Sequence, residues 1–328
     1  MPGKRFLHSV AVQDRLVAAD GTEVFDLAVN PLSVVLLKIC PLNDTGTLTN
    51  FQRALGLAGS LDAIRILHRG ASVFSMSGRD ALALNFMRHG MYPREANGAD
   101  TDNERRSMVL PIFLGRHAWD QDSCFPATVR GELTMELQVD IADTGYDGFR
   151  YSVETIELLD ANPSHFERKI SIARTFGATG LQDFALPTGQ LVRGLLLFGT
   201  TPFGGATPAP SWGRVKTMLD NQEVGYTSID FESALQLPQL FGRQLPALAE
   251  YHAHRVDTSD AGTTTQTSAS VQNTRANDGF ANYGWLDFDP TRDDEFSVDT
   301  AGSSNWIIRA DVETADACRV VQVERIAV

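Results

Sequence analysis

Leu133, Met135, Leu137, Val139 and Ile141 alternate with Thr134, Glu136, Gln138 and Asp140. A period of two sends one set of side chains toward a core and the other toward water or a neighbouring subunit, which is the pattern of a half-buried strand. Trp306, Ile308, Ala310 and Val312 alternate less cleanly with Ile307, Arg309 and Asp311. Further strands are expected at residues 31–40, 63–68, 109–114, 149–158, 169–174, 191–198, 214–219, 285–288 and 320–326, with clusters of Gly, Pro, Asn and Asp between them. Helical signals are few. Ser77-Gly78-Arg79-Asp80 and Thr227-Ser228-Ile229-Asp230 both have the form of a capping box, and apolar residues follow each. Short helices are therefore expected at 79–89, ended by Gly90, and at 229–237. Many short strands with rare helices point to a sandwich or barrel.

The two capping boxes close similar stretches. Residues 64–70 and then Ser72-Val73-Phe74 precede the first; residues 215–221 and then Glu223-Val224-Gly225-Tyr226 precede the second. Each reads as strand, tight turn at Gly or Asn, short strand and capped helix. A polar loop follows each (94–107 and 257–282), then a strand, then one of the two alternating strands. The matched order predicts one plan used twice, joined near Asn162-Pro163-Ser164. Residues 257–282 have no apolar face, and the Gly/Pro-rich residues 201–211 forbid regular structure.

Composition narrows the function. The 328 residues are 43% hydrophobic and 21% charged, enough apolar material for sizeable cores in about two domains. A formal net charge of -13 repels phosphate backbones, so direct nucleic-acid packaging is not expected. Lys4, Arg5, His8 and Arg15 make the first segment mildly basic. Cys40, Cys124 and Cys318 are odd in number and far apart, which signals no disulfide framework and fits synthesis in a reducing cytoplasm. No secretory leader is expected, since residues 6–12 are too short and too polar for one. No apolar run approaches the ~20 residues that cross a bilayer.

Candidate chemistry is sparse. A phosphate-cradling Gly-rich loop, a Gly-x-Ser-x-Gly elbow and a Cys-x-x-Cys pair are all lacking in the sequence. His252-Ala253-His254 would put two imidazoles on one face of a strand, as in metal-binding cupins, but no third ligand follows at suitable spacing. Asp287, Asp289, Asp293, Asp294 and Glu295 are dense enough to attract calcium, yet they lack the EF-hand spacing and read first as a solvated turn between two strands. Asp120 and Asp122 beside Trp119 are open to the same two readings. Asn43-Asp44-Thr45 matches a glycosylation acceptor without a leader to make it relevant. Trp119, Trp212, Trp285 and Trp306 could stack on sugars, although Trp306 has the register of a core residue.

Residues 184–198, Phe-Ala-Leu-Pro-Thr-Gly-Gln-Leu-Val-Arg-Gly-Leu-Leu-Leu-Phe, resemble the opening strands of the second jelly roll in viral double-jelly-roll coat proteins. Tyr283-Gly284-Trp285-Leu286-Asp287-Phe288-Asp289-Pro290 and Phe296-Ser297-Val298-Asp299-Thr300 resemble their late strands. In the first half, residues 64–80 and 107–114 are similar in kind. The likeness covers most of residues 30–326 and is closest to major capsid proteins of corticovirus-like, tailless, membrane-containing bacterial viruses.

That resemblance implies an all-β fold of two tandem jelly-roll sandwiches with a few short helices. Residues 1–165 would form an N-terminal arm and the first roll, and residues 166–328 the second. It implies a homotrimeric capsomer of pseudo-hexagonal outline in an icosahedral shell, around an internal membrane that the N-terminal segment could face. Penton or vertex and minor capsid proteins would be partners, and nucleic acid would not be touched directly. The protein would be made in the host cytoplasm and end in the virion. Catalytic, cofactor-binding and metal-binding residues are not expected; calcium or another divalent cation at subunit contacts is compatible with the net charge. The alternative is a jelly-roll metal-dependent enzyme or carbohydrate-binding protein of cupin or lectin type.

Overall fold

A computed structural model describes residues 4–43, 54–91, 93, 95–97, 105–141, 146–200, 210–240 and 282–328. The chain divides into two compact units. One comprises residues 1–82, 92–170 and 325–328, and the other residues 83–91 and 171–324.

The first unit contains β1 (Phe6–Val17), β2 (Gly21–Asp26), β3 (Leu32–Asn43), α1 (Ala54–Gly59), β4 (Leu61–His68), β5 (Ala71–Met76), the start of α2 (Gly78–His89), β6 (Glu95–Asn97), β7 (Arg106–Phe113), β8 (Leu133–Val139), β9 (Tyr146–Leu158) and the start of β10 (His165–Thr175). One sheet has the order β1-β9-β3-β7-β6, and the facing set runs β2-β8-β4-β5. Apart from β4–β5 and β6–β7, successive strands thus lie in alternate sheets, which is the wrapping of a jelly roll.

The second unit contains the rest of β10, β11 (Gly180–Leu186), β12 (Leu191–Gly199), β13 (Arg214–Leu219), β14 (Gln222–Glu223), β15 (Ile229–Asp230), α3 (Phe231–Leu240), β16 (Tyr283–Asp287), β17 (Val298–Asp299), β18 (Trp306–Val312) and most of β19 (Ala317–Ala327). Its sheets run β16-β12-β19-β10 and β11-β18-β13-β14, with β17 also on β12 and β15 also on β13. Setting aside the short β6, β15 and β17, the order is that of the first unit: first, last, third and sixth strands in one sheet, second, seventh, fourth and fifth in the other.

The alternating strands direct their apolar sets inward as expected. Leu133, Met135, Leu137 and Val139 of β8 are buried, as are Trp306, Ile308, Ala310 and Val312 of β18. Ile307 breaks the alternation because its partner on β13, Met218, is buried too. Both hairpins turn in two residues with positive φ: Arg69 (51°) and Gly70 (82°) between β4 and β5, Asp220 (47°) and Asn221 (67°) between β13 and β14. This handedness matches the strand twist and favours Gly and Asn.

The two helices expected from the sequence are α2 and α3, and the first of them, α2, is capped as read. The Asp80 N–H donates to Ser77 Oγ at 3.1 Å. At its end, Gly90, at φ 63°, donates its N–H to Phe86 O, the 5→1 bond of an αL cap, and Met91 N–H reaches Asn85 O. The second helix begins at Phe231, not at 229. Ile229 and Asp230 extend along β13 opposite Val215 and Arg214, and the Phe231 N–H donates to Gly213 O. Strand pairing there outcompetes the capping box. Part of the expected 94–107 loop is also a strand: Glu95, Ala96 and Asn97 pair with Met108, Ser107 and Arg106. Residues 98–104, 201–209 and 257–281 lie outside the described residues.

Candidate functional site

The acidic run after β16 is organised by a cation that the chain itself supplies. Arg193 sits on β12 with its side chain fully buried. Its Nε and Nη2 donate to the two carboxylate oxygens of Asp294 at 2.6 and 2.8 Å, a fork-to-fork pair. Asp289, also fully buried, places Oδ2 4.0 Å from Arg193 Nε, while its Oδ1 accepts the Asp294 N–H at 2.9 Å. Asp287 accepts the Asp289 N–H at 3.0 Å and lies 3.8 Å from Arg292, whose guanidinium also donates to Arg88 O. Asp293 and Glu295 are exposed. The solvated-turn reading therefore gives way for Asp289 and Asp294, which hold the buried Arg193 guanidinium, while Asp287 faces Arg292. The signal available in the sequence was Arg193 itself, a charge inside an apolar strand. Among the described residues, no three His, Cys, Asp or Glu side chains are grouped to hold a metal ion.

The other candidates are dispersed. His252 and His254 lie outside the described residues, as do Asp44 and Thr45; Asn43 ends β3. Asp120 Oδ1 accepts the N–H groups of Asp122 and Ser123 at 3.1 and 3.3 Å, which makes it a turn former. Trp119 is half exposed, with its ring edge-on to Phe6 at 4.7 Å. Trp212, Trp285 and Trp306 are fully buried and offer no face to a sugar. All three cysteines are free and buried; burial pushes the Cys124 and Cys318 thiols up to about 12, so neither is a ready nucleophile. Three of the four basic N-terminal residues meet carboxylates: Arg5 at Asp160, 2.7 Å, His8 at Glu154, 2.6 Å, and Arg15 at Glu23, 2.6 Å.

Two buried polar groupings escaped sequence reading. Glu167 and Lys169, two residues apart on β10, are both buried and pair at 3.0 Å, and Lys169 Nζ also donates to Phe113 O. Glu157 on β9 accepts from Ser9, Thr155 and Asn30 at 2.6, 3.1 and 2.6 Å. Each joins strands rather than a nucleophile to a base. The first unit also has a cleft of about 340 Å³ lined by Asp20, Gly21, Thr22, Asp62, Gln138, Val139 and Asp140. It contains carboxylates and a backbone clamp, Ile141 N–H to Asp20 at 2.8 Å, but no base and orienting partner.

The outward strand faces carry paired charges. Arg65 meets Glu136 and Arg69 meets Glu132 in the first unit; Arg309 meets Asp183, Arg214 meets Asp230 and Lys216 meets Glu223 in the second. The arrangement is chemically quiet: ion-paired faces over apolar cores.

No protein-family model matches the sequence, and no curated protein matches it. Solved structures do. In the atomic structure of Sulfolobus Turreted Icosahedral Virus, a chain at 11% identity aligns with a TM-score of 0.67, over 99% of this chain and 91% of that one. The major capsid protein of bacteriophage PM2 aligns at 11% identity and TM-score 0.61, over 99% and 98%. A chain of the PBCV-1 virus capsid aligns at 10% identity and TM-score 0.58, over 99% and 94%. The likeness runs the length of both partners and establishes the fold as a double jelly roll.

Proposed function

We propose that this chain is a major capsid protein whose homotrimers form pseudo-hexagonal capsomers of an icosahedral viral shell. The observation that carries this reading is the same eight-strand wrapping built twice in one chain, coextensive with capsid proteins of icosahedral viruses. Two equivalent rolls per chain let three chains present six similar barrels, which tile a hexagonal lattice. On this reading the join between rolls falls at residues 162–164, between the end of β9 and the start of β10. The function is mechanical, without catalytic residues, and the ion-paired faces serve lateral contact.

The shell would enclose an internal membrane, with vertex and minor capsid proteins as further partners and the virion as the final location. An acidic coat suits that arrangement because it need not touch DNA. Because Arg5, His8 and Arg15 are ion-paired, the N-terminal segment offers lipid headgroups less free charge than its composition suggests. Light scattering of the purified full chain should give three times the 35.8 kDa chain mass, and imaging should show hexagonal capsomers or shells. A chain that stays monomeric at high concentration and native salt, or that binds a transition metal stoichiometrically through His252 and His254 and turns over a substrate, overturns the reading.

A further inference from the structure

β1 and β10 hold the same place in their rolls: each is the first strand and lies beside the last, β9 or β19. Their surroundings differ. The opening of β10 alternates buried residues, His165, Glu167 and Lys169, and its outer edge is covered: Lys169 and Ile170 pair in parallel with Phe74 and Ser75 of β5. β1 pairs with β9 on one side, and among the described residues no strand pairs with its other edge. Phe6, Leu7, Val10 and Leu16 are 57%, 43%, 57% and 48% exposed, on both faces of a 12-residue strand. Soluble proteins shorten or charge such edges, because an open row of N–H and C=O groups recruits another strand. Residues 9–13, Ser-Val-Ala-Val-Gln, carry no charge at all.

The chain also carries an unused counterpart of β5. The hairpin β4–β5 recurs as β13–β14, with the same two-residue left-handed turn. β14 ends its sheet, Gln222 and Glu223 are exposed, and among the described residues no strand pairs with its outer edge. Each chain thus has one occupied junction of this kind, β5 on β10, and one of each half left over.

We propose that β1 is the contact strand for a second copy of this chain, taking the β14 edge of the neighbour in parallel as β10 takes β5. One donor and one acceptor per chain make a head-to-tail contact, which closes into a ring when the rotation between copies permits. Main-chain pairing supplies the affinity, and burial of Val10 and Leu16 adds to it. The inference rests on the capsid reading, in which the ring is the capsomer.

Cysteine pairs in the full-length chain test it. Gln222→Cys is combined in turn with Val10→Cys, Ala11→Cys and Gln13→Cys; the native cysteines are buried and stay out of the chemistry. Mild oxidation of at least one pair should give covalent oligomers that end at three chains, while each single variant gives none. A trimer by light scattering with no cross-link in any pairing overturns the inference and leaves the capsid reading standing. A chain monomeric under all conditions overturns both. Hydrogen exchange separates the remaining occupant: β1 amides should gain protection when the oligomer forms. Protection of β1 in the monomer by anionic phosphatidylglycerol vesicles, with none in the oligomer, would assign the strand to a membrane and overturn the inference.

Discussion

The two rolls share a strand order but are filled differently. The second packs two fully buried tryptophans, Trp212 and Trp306, with Phe176, Phe184 and Phe288 in one cluster, and buries a third, Trp285, against Gly194. The first buries no tryptophan; its core is mostly Leu, Ile, Val and Met, with Phe125, Phe149 and Tyr151. At the first inward position of the seventh strand the two place Leu133 and Trp306, both 1% exposed. Large rings demand room, and the second roll makes it with glycine: a Cβ on Gly194 would stand 2.3 Å from the Trp285 ring. In the first roll a Cβ on Gly148 would meet Leu16 and Leu42 at 3.5 Å, an ordinary contact. One topology accepts two packing solutions, so the halves can share a plan while sharing almost no sequence.

Five substitutions and one acid titration sharpen that contrast. The largest effect should come from Arg193→Met, which leaves the Asp294 and Asp289 carboxylates without their buried cation. Breaking a buried pair costs about 3–5 kcal/mol, to be read from denaturant unfolding. Arg65→Met, which removes the half-exposed partner of Glu136, should change stability by less than about 1 kcal/mol. Equal losses from the two would mean that Arg193 is not the organising charge of the second roll.

Next in size are the glycines. Gly194→Ala should cost about 1–3 kcal/mol because the Trp285 ring must shift. Gly148→Ala should be neutral or slightly stabilising, since Ala loses less chain entropy than Gly in a strand. A neutral Gly194→Ala would show that the aromatic packing is looser than its geometry.

The smallest effect is in acid. Hydrogen bonds from Ser304 and Asn305 hold the Asp220 carboxyl below its ordinary 3.8, and the Arg309 guanidinium does the same for Asp183. A folded value below the unfolded one means that this stability is complete above pH 3.8 and is lost as pH falls through the folded value. Thermal melts from pH 6 to pH 3 should decline at the acid end. Asp220→Asn should flatten part of that decline, and an unchanged slope would place the acid sensitivity elsewhere.

Within the second roll, the alternation of β18, the hairpin at Asp220-Asn221 and the strand Leu191–Gly199 were legible, and β8, the Arg69-Gly70 turn and the Ser77 cap were legible in the first. Each depends on neighbours within a few residues, through side-chain period, turn dihedrals or one capping hydrogen bond. β1 was not legible, because irregularities between Val10 and Val12 and between Val12 and Arg15 break its period and both its faces are exposed. The two-residue strand β15 carries too little pattern to be read at all, whereas β14 overlaps the short strand read at 223–226 and β17 lies within the late-strand segment 296–300.

What the sequence determined by itself is therefore the kind of element and the doubling of the plan. Tertiary structure decided the partners. Local rules offered residues 229–230 to a helix, and pairing with β13 took them instead, because Arg214 and Val215 give them ladder partners that the first turn of a helix lacks. Composition offered Asp287, Asp289 and Asp294 to a metal or to water, and the fold brought Asp289 and Asp294 to Arg193, about a hundred residues away along the chain, and Asp287 to Arg292. Which charges meet depends on which strands lie side by side, and no spacing along the sequence carries that information.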